Sequence, residues 1–291
     1  KQIWNKLAGG NTDVQTMFTD LITDFGNKDY ALAAVKGAII STVYKPQIID
    51  ISHQIEPYKV TQAAYILKNA YKTFPEGSIH IIGVESEKTP ENDHLAMSFD
   101  GHYFIGADNG IFSMIKGKLK ADKIVTINIH DQSSIVFPVL DDFIKVAAHL
   151  SRSGTLDVIG KKTDKIRELV ELRPVINATG DQVVGSVIYV DNYGNVITNI
   201  TRKLFNEVRK SRGFIIFARN VKFRKVFETY SGAIDFNIPK GKRNEEGKKI
   251  ALFNDADHLE LAIYKSNPQS VGSASSLFGL EYRDSVTVKF E

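Results

Sequence analysis

Carboxylates and amides recur in this chain where apolar runs end, and their spacing is the first pointer to chemistry. The stretch ITDFGNKDY (residues 22–30) closes an apolar run on Asp24, turns on Gly26 and sets Asp29 just ahead of a helical pattern. Glu85 closes a second apolar run, and Asp108-Asn109-Gly110 follows a third. In open α/β sheets ligands lie beyond the carboxyl ends of the strands, so Asp24, Glu85, Asp108 and Asn109 are candidates to line one pocket. Asp is equally a common cap and turn former. Asp29 reads as a cap, whereas Asp24 stays open between turn former and ligand group.

A second cluster, DNYGNVITN (residues 191–199), crowds Asp191, Asn192, Asn195 and Asn199 around one tight turn. A bare hairpin needs a single Asn-Gly pair. The surplus groups fit recognition of an amino group and a hydrogen-bonding ring, with plain turn chemistry as the alternative. Tyr230 offers a ring to stack on a base, or is an ordinary core or surface tyrosine. No dinucleotide, Walker, zinc-protease or nucleophile-elbow motif is present, and the seven His are dispersed, so no metal and no cofactor is expected.

Composition narrows the partners. The net charge of +3 is too small to argue for nucleic acid, and the basic loop KGKRNEEGKK (residues 240–249) is half neutralised by its own glutamates. With no Cys there is no disulfide framework, thiolate metal site or cysteine nucleophile; a reducing compartment is allowed, and a cytoplasmic location is expected. No apolar run approaches the roughly 18 residues of a membrane span, so no membrane partner is expected. Residues 1–17 lack the apolar core of a signal peptide and read as a loosely held N-terminal arm.

The elements that must position these groups fall into two patterns. Residues 18–168 alternate strands (17–23, 47–52, 79–84, 123–129) with helices (30–44, 60–74, 141–151), and Asp100-Gly101 joins a hairpin of 94–99 and 102–106. Helices between strands imply an α/β domain with a mostly parallel sheet covered on both faces. Residues 169–181, with Pro174 and Gly180, read as a linker. Residues 182–291 then offer short β-branched runs (VVGSVIYV, NVITNI, GFIIFA, KKIALF, LELAIY, DSVTVKF) and one modest helix at 201–211, the pattern of a smaller all-β, barrel-like domain.

Taken in order, several pieces resemble the S-adenosylmethionine hydroxide adenosyltransferases and their halogenase relatives, the fluorinases and chlorinases. The pieces are ITDFGNKD (22–29), Lys36-Gly37, IDISH (49–53), Pro57, FPEG (74–77), GADNG (106–110), AAHL (147–150) and DNYGNVITNI (191–200), running from about residue 18 to the C-terminus. The resemblance implies a trimer with active sites where the N-terminal domain of one subunit meets the C-terminal domain of the next. It also implies an adenosyl nucleoside as ligand and nucleophilic substitution at the ribose C5′, with hydroxide giving adenosine and methionine. By the same resemblance Asp24 grips the ribose hydroxyls and Asp29 lies near the methionine portion. Asp191 receives the methionine amino group, and Asn195 contacts the nucleoside.

The chain departs from the family pattern where water is activated. The hydrolytic members carry an Asp in V-D-P-G-V-G, a following Arg, and a His in F-H-G-R-D. Here the first motif reads Val84-Glu85-Ser86-Glu87-Lys88-Thr89, the Arg position falls near Asn92, and the third reads Phe137-Pro138-Val139-Leu140-Asp141. The halide-site Ser and Thr of the halogenases have no obvious counterpart, and Asn254-Asp255 replaces the family's Asn-Ser pair at the methionine-carboxylate end. Glu85 and His94 are the candidate relocated acid/base pair, with the alternative that His94 simply opens a strand. Two function classes remain open: an enzyme cleaving the sulfonium at C5′, and a catalytically silent binding or sensor protein.

Overall fold

The computed structural model describes residues 17–129, 136–243 and 245–291. The chain divides into two compact units that part between Leu169 and Val170. The N-terminal arm expected over residues 1–17 lies outside the described residues, except Met17, which opens the first strand.

The first unit runs β1 (Met17–Thr23), α1 (Ala31–Thr42), β2 (Pro46–Ser52), α2 (Val60–Ala70), β3 (Ile79–Gly83), β4 (His94–Phe99), β5 (His102–Ala107), α3 (Ile111–Lys116), β6 (Lys123–Ile127), α4 (Ile144–Leu150) and β7 (Gly160–Lys162). These strands form one seven-stranded mixed sheet in the order β2-β1-β3-β5-β4-β6-β7. The pairs β1–β2, β1–β3 and β3–β5 are parallel; β4–β5, β4–β6 and β6–β7 are antiparallel. Only β4 and β7 therefore run against the other five strands, as expected of a mostly parallel sheet.

Alternation along the central strands supplies two cores. Leu21, Ile79, Ile81, Ile105 and Val125 pack with Val35 and Ile39 of α1 and with α4. Ile22, Ile82, Met97 and Phe104 pack with Ala63 and Leu67 of α2 and Phe112 and Ile115 of α3. Successive side chains point to opposite faces, so one strand feeds both layers. The β4–β5 turn takes positive φ at Asp100 (52°) and Gly101 (78°), the geometry an Asp-Gly hairpin supplies. The helix expected over 141–151 opens two residues earlier, as a π-turn over Val139–Phe143 that leads into α4. Pro138 stands just ahead of it, where no intrahelical N–H is required.

The second unit contains β8 (Val175–Ile176), β9 (Gln182–Val190), β10 (Val196–Thr201), α5 (Arg202–Arg209), β11 (Phe214–Ala218), β12 (Val221–Phe223), β13 (Lys249–Phe253), β14 (His258–Ile263), α6 (Ala274–Phe278) and β15 (Ser285–Phe290). The order β12-β11-β15-β9-β10-β14-β13 is antiparallel throughout, with β8 paired to β9. Past β12 the chain bridges to β13, where Phe227 N–H donates to Ala251 O at 2.8 Å, so the sheet is nearly closed and barrel-like. Its interior is apolar, filled by Val183, Val196, Phe205, Ile216, Leu261 and Val288 among others. Thr201 caps α5 by accepting Leu204 N–H, and a Ser273/Ser276 capping box opens α6, a helix that the strand-dominated pattern concealed. Among the described residues no helix is long and apolar enough to cross a membrane.

Candidate functional site

In the first unit the candidate residues gather at the carboxyl ends of β1, β3 and β5. Asp24 follows β1 directly. Its Oδ2 accepts the backbone N–H of Tyr58 at 3.1 Å and of Glu85 at 3.3 Å, while its own N–H donates to Gly83 O at 3.3 Å. The next residues turn sharply: Gly26 sits at φ 67° and its N–H donates to His53 O at 2.9 Å. Gly83 leaves no room at this junction, since a Cβ there would lie 3.0 Å from both Phe25 Cζ and Thr23 Cγ2.

Asn109 ties the strand ends together. Its buried amide donates to Val84 O at 2.9 Å and Glu85 O at 3.4 Å, and its Oδ1 accepts Ile111 N–H at 3.2 Å, which anchors the start of α3. Asp24, Glu85 and Asn109 are thus brought together. Asp108 is engaged elsewhere, with both carboxylate oxygens on Arg167 N–H at 2.9 and 3.0 Å. Burial, and then the neighbouring Asp93, push its carboxyl above the usual range against the Arg167 hydrogen bond. Asp29 is not itself the N-cap of α1, which is Tyr30; it lies one residue ahead, where its Oδ1 accepts Ala31 N–H at 3.2 Å.

His94 is fully buried on β4. Nε2–H donates to Ser86 O at 3.0 Å, and Nδ1 lies 3.5 Å from Asp142 Oδ2, in the π-turn. Nε2 is taken by Ser86 O, and Nδ1 faces Asp142 rather than the Glu85 carboxylate. Burial depresses the pKa of His94, outweighing the support of Ser86 and Asp142. Asn92 is buried and exchanges backbone hydrogen bonds with Thr89, at 3.1 and 3.3 Å.

In the second unit the β9–β10 turn is organised by Asp191. Its Oδ1 accepts Tyr193 N–H at 2.9 Å and Asn195 N–H at 2.8 Å, and its Oδ2 accepts Asn195 Nδ2 at 2.9 Å. Tyr230 donates to Glu260 Oε1 at 2.6 Å. Glu260 is buried on β14, and burial raises its pKa, reinforced by Asp191 and Asp255 and opposed by hydrogen bonds from Tyr230 and Asn254. Burial also raises Tyr230, with Glu260, Asp191 and Asp255 adding to the rise. Asp191, Tyr230, Asp255 and Glu260 therefore share one electronegative neighbourhood, suited to a cationic group. Glu260 escaped the sequence reading; its only signal there was a lone acid inside the apolar run LELAI. Among the described residues no group of three or more His or acidic side chains is arranged to hold a metal ion.

An α/β unit with carboxylates at its strand ends is thus followed by a barrel-like unit with a second acidic cluster. The chain belongs to the SAM hydroxide adenosyltransferase family: the family's N-terminal domain matches residues 20–160 and its C-terminal domain residues 185–287. Among its relatives is an (R)-S-adenosyl-L-methionine hydrolase of Methanocaldococcus jannaschii, 28% identical over 274 residues, spanning 92% of this chain and 94% of the relative. A fluorinase of Nocardia brasiliensis is 22% identical over 275 residues, spanning 83% of this chain and 88% of that protein. The fold is shared with an uncharacterized conserved protein from Thermotoga maritima, with TM-score 0.78 and 24% identity over 94% of this chain and all of that one.

Proposed function

We propose that the protein binds S-adenosyl-L-methionine, or a closely related adenosyl nucleoside, and cleaves it by substitution at the ribose C5′, with water or hydroxide giving adenosine and methionine. The observation that carries this reading is the Asp24 carboxylate, fixed by the backbone N–H of Tyr58, just ahead of α2, and of Glu85, just past β3, beside Asn109. A two-oxygen acceptor suits vicinal ribose hydroxyls. The membership of the chain in its family and the names of its relatives support the substrate class. Asp191 takes the methionine ammonium, Asn195 and Tyr230 the nucleoside, Asp29 and Asp255 the methionine end. The site is completed by a neighbouring protomer in a homotrimer, and no cofactor takes part.

The sulfonium loses its positive charge as the C5′–S bond breaks and an anion attacks. A water-poor site that holds the nucleophile in line accelerates such a step. Glu85 is the acid/base group of this reading. The second reading, a binding protein without turnover, is favoured by one set of positions: Pro138 offers no base and Asn92 no cation, and His94 is held by Ser86 and Asp142.

Incubation with S-adenosyl-L-methionine, with and without chloride, followed by chromatography of adenosine, its 5′-chloro-5′-deoxy analogue and methionine separates the readings. Adenosine and methionine in equal amounts are expected. Tight binding without products establishes the binding protein, and neither binding nor products removes the substrate assignment. Glu85→Gln abolishes turnover in this scheme; unchanged turnover takes Glu85 out of the mechanism.

A further inference from the structure

Behind the Asp24 turn lies a chain of polar contacts that the reading above does not use. Thr23 Oγ1 is 2.9 Å from His53 Nδ1, His53 Nε2 is 3.0 Å from Asp50 Oδ1, and Lys36 Nζ is 2.6 Å from Asp50 Oδ2. The His53 carbonyl also accepts Gly26 N–H at 2.9 Å, and Thr23 Oγ1 faces Phe25 N–H at 3.4 Å. One imidazole residue thus grips the turn on both sides of Asp24. Thr23 is fully buried and His53 nearly so, so water cannot replace these partners.

The local backbone is built for this aim. β1 and β2 pair in parallel register until Leu21 meets Asp50; the next pair is Ile22 with Ser52, so β2 carries one extra residue, Ile51. A bulge of this kind re-aims the side chains that follow it. Asp50 and His53 flank it and meet each other. A carboxylate only accepts, which places the ring proton on Nε2 and leaves Nδ1 to accept the Thr23 hydroxyl proton. Burial would raise the Asp50 pKa, but the hydrogen bonds from Lys36 and His53 outweigh it and hold the carboxyl low, so the acceptor stays ionised.

A hydroxyl, an imidazole and a carboxylate in series is also the grouping of a serine-type nucleophile. Here the hydroxyl has no exposed surface, so no substrate reaches it, and its contacts hold the chain. We propose that His53 is a positioning residue of the nucleoside site: through the Thr23 hydroxyl and its own carbonyl it sets the turn that presents Asp24, with Asp50 and Lys36 fixing the ring. The role deepens the nucleoside reading and rests on it for its consequence, though not for its geometry.

The test pairs Thr23→Val, which keeps the shape and removes the hydroxyl, with Thr23→Ser, which keeps the hydroxyl. Adenosine affinity by calorimetry, at a temperature where all forms are folded, is expected to fall about tenfold in Thr23→Val and to hold within about twofold in Thr23→Ser, the scale of one buried hydrogen bond. A merely structural role lowers the melting temperature of Thr23→Val and leaves the affinity of the folded protein unchanged; that result overturns the proposal. If the unmodified protein does not bind adenosine, the nucleoside reading fails separately, and amide exchange at Gly26 decides the positioning role. Faster exchange in Thr23→Val than in Thr23→Ser upholds the grip on the turn, and equal rates overturn it.

Discussion

Asp24 and Glu85 are joined side chain to backbone, the Asp24 carboxylate accepting the Glu85 N–H at 3.3 Å while Glu85 stands in the left-handed region at φ 44°. A residue with a Cβ there costs roughly 1–2 kcal/mol that Gly would not. Strained backbone persists where surrounding contacts over-determine it, and it concentrates at functional sites. Glu85→Gly is therefore expected to raise stability by about 0.5–1 kcal/mol, after the greater chain entropy of Gly is set against the relieved strain. The same change removes the side chain on which turnover rests in this scheme. Urea unfolding beside the product assay checks both halves; a destabilised variant would show that the left-handed geometry carries no strain.

The partners of Asp24 also grade the effect of replacing it. Both backbone donors go to Oδ2, which fixes the carboxyl plane. Asp24→Ala removes the acceptor altogether and should weaken adenosine binding about 100-fold, and Asp24→Asn, which loses the charge and turns one acceptor into a donor, about tenfold. Calorimetric titration orders the three proteins. Equal affinities would place the ribose elsewhere.

Two glycines at positive φ separate backbone strain from close packing. Gly26 (φ 67°) has nothing within 4 Å of an added Cβ, whereas at Gly194 (φ 71°) that Cβ would lie 2.2 Å from Ser273 Oγ, at the mouth of α6. Gly194 O also accepts Ser275 N–H at 2.9 Å, so the turn cannot simply withdraw. Gly26→Ala should cost about 1 kcal/mol, and Gly194→Ala about 2–4 kcal/mol through strain and overpacking together. Denaturant midpoints measure the difference, and equal losses would mean that the β9–β10 turn yields freely.

Much of this architecture is legible in the sequence for local reasons. Asp100-Gly101 encodes its own hairpin, and the strand runs of the second unit are bounded by turn residues within a few positions. The short helices α3 and α6, of six and five residues, carry too few turns for a periodic signal. β2 reads as buried from QIIDIS, yet it is the sheet edge and only half covered. The acids at strand ends are visible because neighbours in sequence make them odd. Glu260 and His53 are not, because each takes its meaning from a partner 30 residues away, Tyr230 in one case and Thr23 in the other. Long-range pairing decides such roles, and a single sequence does not display it.

A buried imidazole pair gives the first unit a defined acid sensitivity. His80 Nδ1 lies 3.0 Å from Asp20 Oδ2, and its Nε2 faces His102 Nδ1 at 3.2 Å, with Tyr71 edge-on to both rings. Asp20 only accepts when ionised, so His80 carries its proton on Nδ1 and takes the His102 N–H on Nε2. Burial above all pushes His102 down to about 4, outweighing the attraction of Asp100 and Glu76. The unfolded chain takes up this proton below the ordinary 6.5, while the folded chain resists it until about 4. Stability from this group is therefore complete above the unfolded value and is lost as pH falls between the two. The loss amounts to about 2 kcal/mol between pH 7 and pH 5. His102→Gln keeps a donor for His80 Nε2 but does not titrate, so its urea-unfolding free energy should fall less over that interval by about the same amount. Parallel pH profiles for the two proteins would show that His102 takes its proton as readily folded as unfolded.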